Sequence, residues 1–148
     1  MTLKILVVDD SKMTRRVTAG LIGSRWTVCG EASDGQSGIS EFRRLKPDLV
    51  LVDLAMPDID GIEVSRQMHA IDPSVPLILF TLMDAWALQS AARAAGISRI
   101  VSKSEGWELV KAIEEVAAEL LARSNKLKRS ASRQRSTNPK LSDARSSH

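Results

Sequence analysis

Five short apolar runs alternate along this 148-residue chain with five stretches of helical spacing. The runs are Leu3–Val8, Trp26–Gly30, Leu49–Val52, Pro76–Phe80 and Ile97–Val101. Most are filled by Leu, Ile and Val without polar alternation, the pattern of strands buried on both faces. Strand and helix alternating five times predict an α/β fold: a doubly wound parallel sheet with helices on both faces. Right-handed crossovers leave few topologies for such a chain.

The intervening stretches predict helices with these inward faces: Met13, Val17, Leu21; Ile39, Phe42, Leu45; Val64, Met68, Ile71; Leu88, Ala92, Ala95; and Leu109, Ile113, Val116, Leu120. Ser33 and Gln36 form a capping-box pair ahead of the second helix, and Asp60 precedes the third. Asp84 and Gly96 bracket the fourth. Ser104 is the expected cap of the fifth, where Glu105 suits the positive end of the helix dipole. Asp58 fits a turn. Trp86 and Trp107, opening the last two helices, are expected to pack into or along the core, with a partner-binding surface as the alternative.

Two apolar runs end abruptly on carboxylates. ILVVDD closes on Asp9 and Asp10, and LVLVD closes on Asp53. The fourth run ends at Thr81 and the fifth at Lys103. In a parallel sheet all five side chains fall on the carboxyl edge, where ligands of such folds bind. Three clustered carboxylates repel, by roughly 4 kcal/mol per pair about 4 Å apart at an effective dielectric near 20. Lys103 supplies one compensating charge. A divalent cation supplies two, and oxygen ligands select Mg²⁺ or Mn²⁺ over zinc. A metal, a lysine and a hydroxyl around one carboxylate equip a site for phosphoryl transfer, with Asp53 as the nucleophile.

The charge is unevenly placed. Residues 1–122 carry net −4 and residues 123–148 net +7, within a chain total of +3. From Ser124 the sequence is rich in Ser, Lys and Arg and poor in large apolar residues. This predicts a disordered basic tail over 124–148 beyond one domain at 1–123. Weak nucleic-acid or acidic-partner binding is the functional reading of that tail. The single cysteine, Cys29, has no disulfide partner within the chain, is expected in the core and fits a reducing, cytoplasmic setting. No run is long enough for a transmembrane helix, so no membrane partner is expected.

VVDDS (Val7–Ser11), VDLAMPDIDG (Val52–Gly61), LFT (Leu79–Thr81) and VSK (Val101–Lys103) together make the chain similar to the receiver domains of two-component response regulators, over about residues 2–122. The likeness extends to receivers of the nitrate-regulator, LuxR-type class, without an output domain. It implies a flavodoxin-like (βα)5 sheet of order 2-1-3-4-5 and phosphorylation of Asp53. The donor would be a sensor histidine kinase or a histidine phosphotransfer protein. It further implies Mg²⁺ held by Asp10, Asp53 and the Ala55 backbone carbonyl, with Asp9 assisting through water. Thr81 and Lys103 would bind the phosphoryl group. A downstream protein would then be met on the face of helix four, strand five and helix five. Such a protein is not a conventional enzyme; its chemistry is self-catalysed phosphoryl transfer and autodephosphorylation.

Three positions depart from the family pattern. Ser104 replaces a proline that follows the lysine through a cis bond, so Lys103–Ser104 is expected trans. Ile100 stands where an aromatic switch residue is common. Leu82 replaces a small residue and is expected to narrow access to Asp53. Two alternatives follow: the N-terminal part of a DNA-binding regulator lacking its helix-turn-helix domain, and a degenerate receiver that binds partners unphosphorylated.

Overall fold

The computed structural model describes residues 2–136. It holds five parallel strands: β1 (Lys4–Val8), β2 (Thr27–Ala32), β3 (Leu49–Val52), β4 (Leu77–Thr81) and β5 (Arg99–Ser102). The helices between and after them are α1 (Lys12–Ile22), α2 (Gly35–Leu45), α3 (Gly61–Ile71), α4 (Ala85–Ala94) and α5 (Gly106–Ser136). The sheet order is β2-β1-β3-β4-β5, as expected. The central strands β1 and β3 align Val8 with Val52, so Asp9 and Asp53 leave the sheet side by side. The hydrogen bond from Asp53 N–H to the Val8 carbonyl (2.9 Å) fixes that register.

Side chains alternate across each strand. Leu6, Val8, Val50, Val52 and Leu77 join Ile39 and Phe42 of α2 and Val64 and Met68 of α3 in one buried cluster. Their neighbours Ile5, Val7, Leu49, Leu51, Ile78 and Phe80 are buried on the opposite side. Cys29 is half-buried and packs at the margin of the first cluster.

Several local expectations change. Met13 and Val17 on α1 are 68% and 55% exposed; the helix buries Thr18 and Ile22 instead. The cap of α2 is Asp34, whose carboxylate accepts the Ser37 N–H, one residue beyond the expected Ser33. Asp58 does more than make a turn: its two oxygens accept the N–H groups of Gly35 and Gln36 at 2.8 and 2.9 Å. This hydrogen-bonds the loop after β3 to the start of α2 and holds the Asp58 carboxyl below its ordinary range. Asp60 and Asp84 cap α3 and α4 as expected, and Gly96 has φ of +85°. Ser104 does not cap α5; its hydroxyl lies 2.6 Å from that of Ser102.

The chain divides into two units, residues 1–113 and 114–148. The first contains the sheet, α1 to α4 and the start of α5. The second contains the remainder of α5, which stays helical to Ser136 where disorder was expected from Ser124. The reason is cooperativity. Extending an existing helix avoids the nucleation cost, and Leu, Lys, Arg, Gln and Ala are good formers uninterrupted by Gly or Pro up to Ser136. Arg133 and Arg135 also suit the negative end of the helix dipole. Residues 137–148 of the expected tail lie outside the described residues.

One glycine sets the approach of α3 to the site. A Cβ at Gly61 would stand 2.1 Å from the Asp53 carbonyl oxygen and 2.8 Å from its carbon, both backbone atoms. Gly61→Ala must therefore displace the segment carrying Asp53. We expect a loss of about 2 kcal/mol or more in urea-induced unfolding, within the range of overpacking, together with weakened Mg²⁺ binding.

Candidate functional site

The carboxyl ends of β1, β3, β4 and β5 converge on one polar pocket. Asp9 and Asp53 are 3% and 8% exposed, and Thr81 is 2% exposed; Asp10 faces solvent. Ligand oxygens of Asp9, Asp10 and Asp53 all lie within 4.8 Å of one another. The Lys103 ammonium reaches in from the end of β5. It donates to Asp9 Oδ2 at 2.7 Å and lies 3.3 Å from Asp53 Oδ1. Its Nζ also stands 5.9 Å from the centre of the Phe80 ring. The Lys103 N–H bonds the Thr81 carbonyl (2.9 Å), which ties the ends of β4 and β5 together. Lys103–Ser104 is a trans bond, as expected.

The two adjacent acids occupy different surroundings. Asp9 is fully engaged: Oδ1 accepts the Ser11 N–H (2.9 Å) and Oδ2 accepts Lys103. Asp10 is exposed and open to a ligand. The chain after β1 turns directly into α1, because the Ser11 side chain accepts the Thr14 N–H and caps the helix. Arg15, one turn into α1, donates to the Asp9 carbonyl at 2.6 Å and pairs with Glu31 at 3.4 Å. No sequence signal marked Arg15, since its target is a backbone oxygen.

Burial, the largest cause, raises the Asp53 carboxyl above its ordinary value; the neighbouring charge of Asp9 adds to this, and Lys103 opposes it. Among the described residues, three carboxylates face one ammonium, which leaves two negative charges uncompensated. A divalent cation matches that deficit, and an all-oxygen donor set with one solvent-facing carboxylate suits Mg²⁺, which keeps several waters. The donors present therefore fit the metal. Ala55 lies two residues beyond Asp53 in the exposed loop after β3.

Thr81 Oγ1 accepts the Met83 N–H at 3.2 Å, linking the pocket to the start of the β4–α4 loop. Leu82 in that loop is 78% exposed, so it does not pack into the pocket. Ile100 is half-buried on β5, opposite Leu79, and lines a groove of about 190 Å³ with Ala85, Gln89 and Arg93 of α4. Trp86 is 81% exposed and Trp107 62% exposed, which corrects the expectation that both pack inward.

A five-stranded parallel sheet with an aspartate cluster, a threonine and a lysine at its carboxyl edge is the arrangement of a signalling receiver. The response regulator receiver domain family matches residues 5–114, and the chain belongs to that family. It is 29% identical over 119 residues to the chemotaxis protein CheY of Thermotoga maritima, covering 79% of this chain and 99% of the relative. It is 34% identical over 121 residues to the response regulator GacA of Pseudomonas syringae, covering 78% of this chain but 56% of that protein. The chain thus spans nearly all of one relative and about half of the other. Among solved structures, a LuxR-family two-component response regulator from Aurantimonas superposes with a TM-score of 0.76 at 34% identity, over 80% of this chain and 87% of that one. The protein serves phosphorelay signal transduction, and its family binds Mg²⁺ at an acidic pocket of this kind.

A carboxyl group whose pKa is raised by folding stabilises the fold most at pH below its unfolded value, near 4, and loses that contribution as pH rises through its folded value. Ionised Asp53 is therefore a destabilising group in metal-free buffer. Asp53→Asn is expected to match the parent near pH 4 and to become more stable by about 1 kcal/mol near pH 7. Thermal unfolding in EDTA across that range measures the difference; a constant gap at all pH values would count against the assignment.

Proposed function

We propose that Asp53 is the phosphoacceptor of a two-component phosphorelay in the cytoplasm. The observation that carries this is the buried Asp53 carboxylate at the end of β3, 3.3 Å from Lys103 and grouped with Asp9 and Asp10. An Asp53 oxygen attacks the phosphorus of a phosphohistidine on a sensor kinase or phosphotransfer protein. The phosphohistidine ring carries a proton on its other nitrogen, so as the N–P bond breaks the bonding pair returns to the ring, neutral imidazole leaves, and an acyl phosphate forms. Asp10, Asp53 and the Ala55 carbonyl are the residues that would hold Mg²⁺, which supplies charge neutralisation at the phosphoryl oxygens when bound. Asp9, its oxygens engaged by Ser11 and Lys103, assists from behind that set. Lys103 is placed to move from the carboxylates to the transferred group, and the Thr81 hydroxyl retains a proton to donate to it. Hydrolysis of the acyl phosphate at the same site resets the protein.

The output route runs through the β4–α4 loop. Phosphorylation adds about −1.5 to −2 charge beside Thr81. As the threonine turns toward that charge, the Met83 N–H loses its acceptor. The loop carrying Leu82 (78% exposed) and Met83 (53%), with Trp86 (81%) in the first turn of α4 behind it, then takes a second arrangement. The Ile100 position does not require an aromatic swing in this scheme. The exposed apolar side chains, with Arg93 lining a groove beside Trp86 on α4, present a face for a downstream protein.

Incubation with Mg²⁺ and acetyl phosphate tests the acceptor. Intact-mass measurement is expected to show one added phosphoryl group, lost in Asp53→Asn. Absence of the added mass in the native chain would favour an unphosphorylated binding module. In a Trp26→Phe, Trp107→Phe background, Trp86 fluorescence is expected to change on phosphorylation. Thr81→Val should retain the added mass and lose most of that change.

A further inference from the structure

The second unit carries chemistry that the phosphorelay does not use. Between Leu120 and Ser136, α5 holds six cationic side chains, Arg123, Lys126, Lys128, Arg129, Arg133 and Arg135, and no acid. Four of them fall together. At 100° per residue, Arg123, Lys126, Arg129 and Arg133 lie within an arc of about 120°. They are spaced by roughly one turn over about 15 Å of helix, and all four are exposed. Lys128 and Arg135 stand on the opposite side.

The neighbouring residues discriminate between partners. A membrane-surface helix needs a broad apolar face, and a protein interface centres on aromatic or large aliphatic anchors. Beyond Leu121 this segment has one large apolar side chain, Leu127, and no aromatic. It offers Asn125, Ser130, Ser132 and Gln134 instead, neutral groups that hydrogen-bond phosphate oxygens. A second copy would bring six like charges against six. A row of cations with polar neighbours along one helix complements a row of phosphates. The DNA major groove, about 12 Å wide, admits such a helix, whereas the major groove of duplex RNA is too narrow.

We propose that the face formed by Arg123, Lys126, Arg129 and Arg133 binds the backbone of double-stranded DNA without sequence preference. Four phosphate contacts give log K against log salt a slope of about −3.6, a loss of about a hundredfold between 50 and 200 mM. The full chain and a fluorescein-labelled 20-base-pair duplex test this by anisotropy. Binding with that slope is expected. Gln at all four positions should abolish it. K128Q/R135Q should weaken it less than about threefold, as should R123K/R129K/R133K, which keeps the charge. Circular dichroism checks that each variant keeps its helix. The proposal is overturned by no binding at 50 mM salt, or by equal losses in the fourfold and K128Q/R135Q variants. It is also overturned by tighter binding to an RNA duplex or to vesicles with 30% anionic lipid than to the DNA.

Discussion

Among the described residues, Lys103 is the positive charge in a pocket that otherwise collects negative ones. It bonds Asp9 at 2.7 Å and stands 3.3 Å from Asp53, and both carboxylates are nearly inaccessible to water. Removing a buried partner ordinarily costs about 3–5 kcal/mol, because the charges left behind have no solvent to screen them. The architecture brings the lysine there. β5 lies at the sheet edge beyond β4, and Asp9 and Asp53 come from the adjacent central strands. Fold and site are thus coupled: the topology that buries the apolar runs also assembles the charges.

The same constraint explains why the two acids after β1 differ. Asp9 points into the protein and is satisfied by a backbone N–H and an ammonium. Asp10 remains outside and supplies the exchangeable side of the pocket. A chain with one acid at this place would have to choose between anchoring Lys103 and offering an open ligand. Around them the support comes from less conspicuous contacts: Arg15 on the Asp9 carbonyl, Asp58 on the start of α2, and Gly61 against the Asp53 backbone.

What the sequence disclosed follows from how each feature is encoded. Apolar runs ending on Asp9, Asp53, Thr81 and Lys103 state their own position, since a buried strand must end where a charge begins. The inward face of α1 was not legible. Met13 and Val17 are more apolar than Thr14 and Thr18, yet the helix turns Thr18 and Ile22 inward. The tryptophans misled for the opposite reason: large aromatic side chains usually bury, and here two are displayed on α4 and α5. The helical extension to Ser136 was not legible in composition, which reports the lack of a core, while helix propagation depends on what precedes the segment. The role of Arg15 and the bonds of Asp58 to α2 were not legible, as both act on backbone groups brought near only by folding.

If Lys103 and a divalent cation answer the same excess of negative charge, they compete for it. Isothermal titration with Mg²⁺ on the native chain and on Lys103→Met measures this directly. Removing the lysine is predicted to tighten Mg²⁺ binding by about tenfold or more, from the repulsion between a monovalent and a divalent cation a few ångströms apart. Asp10→Asn is predicted to weaken it. Unchanged or weaker binding in Lys103→Met would contradict the account of the pocket as one shared charge balance.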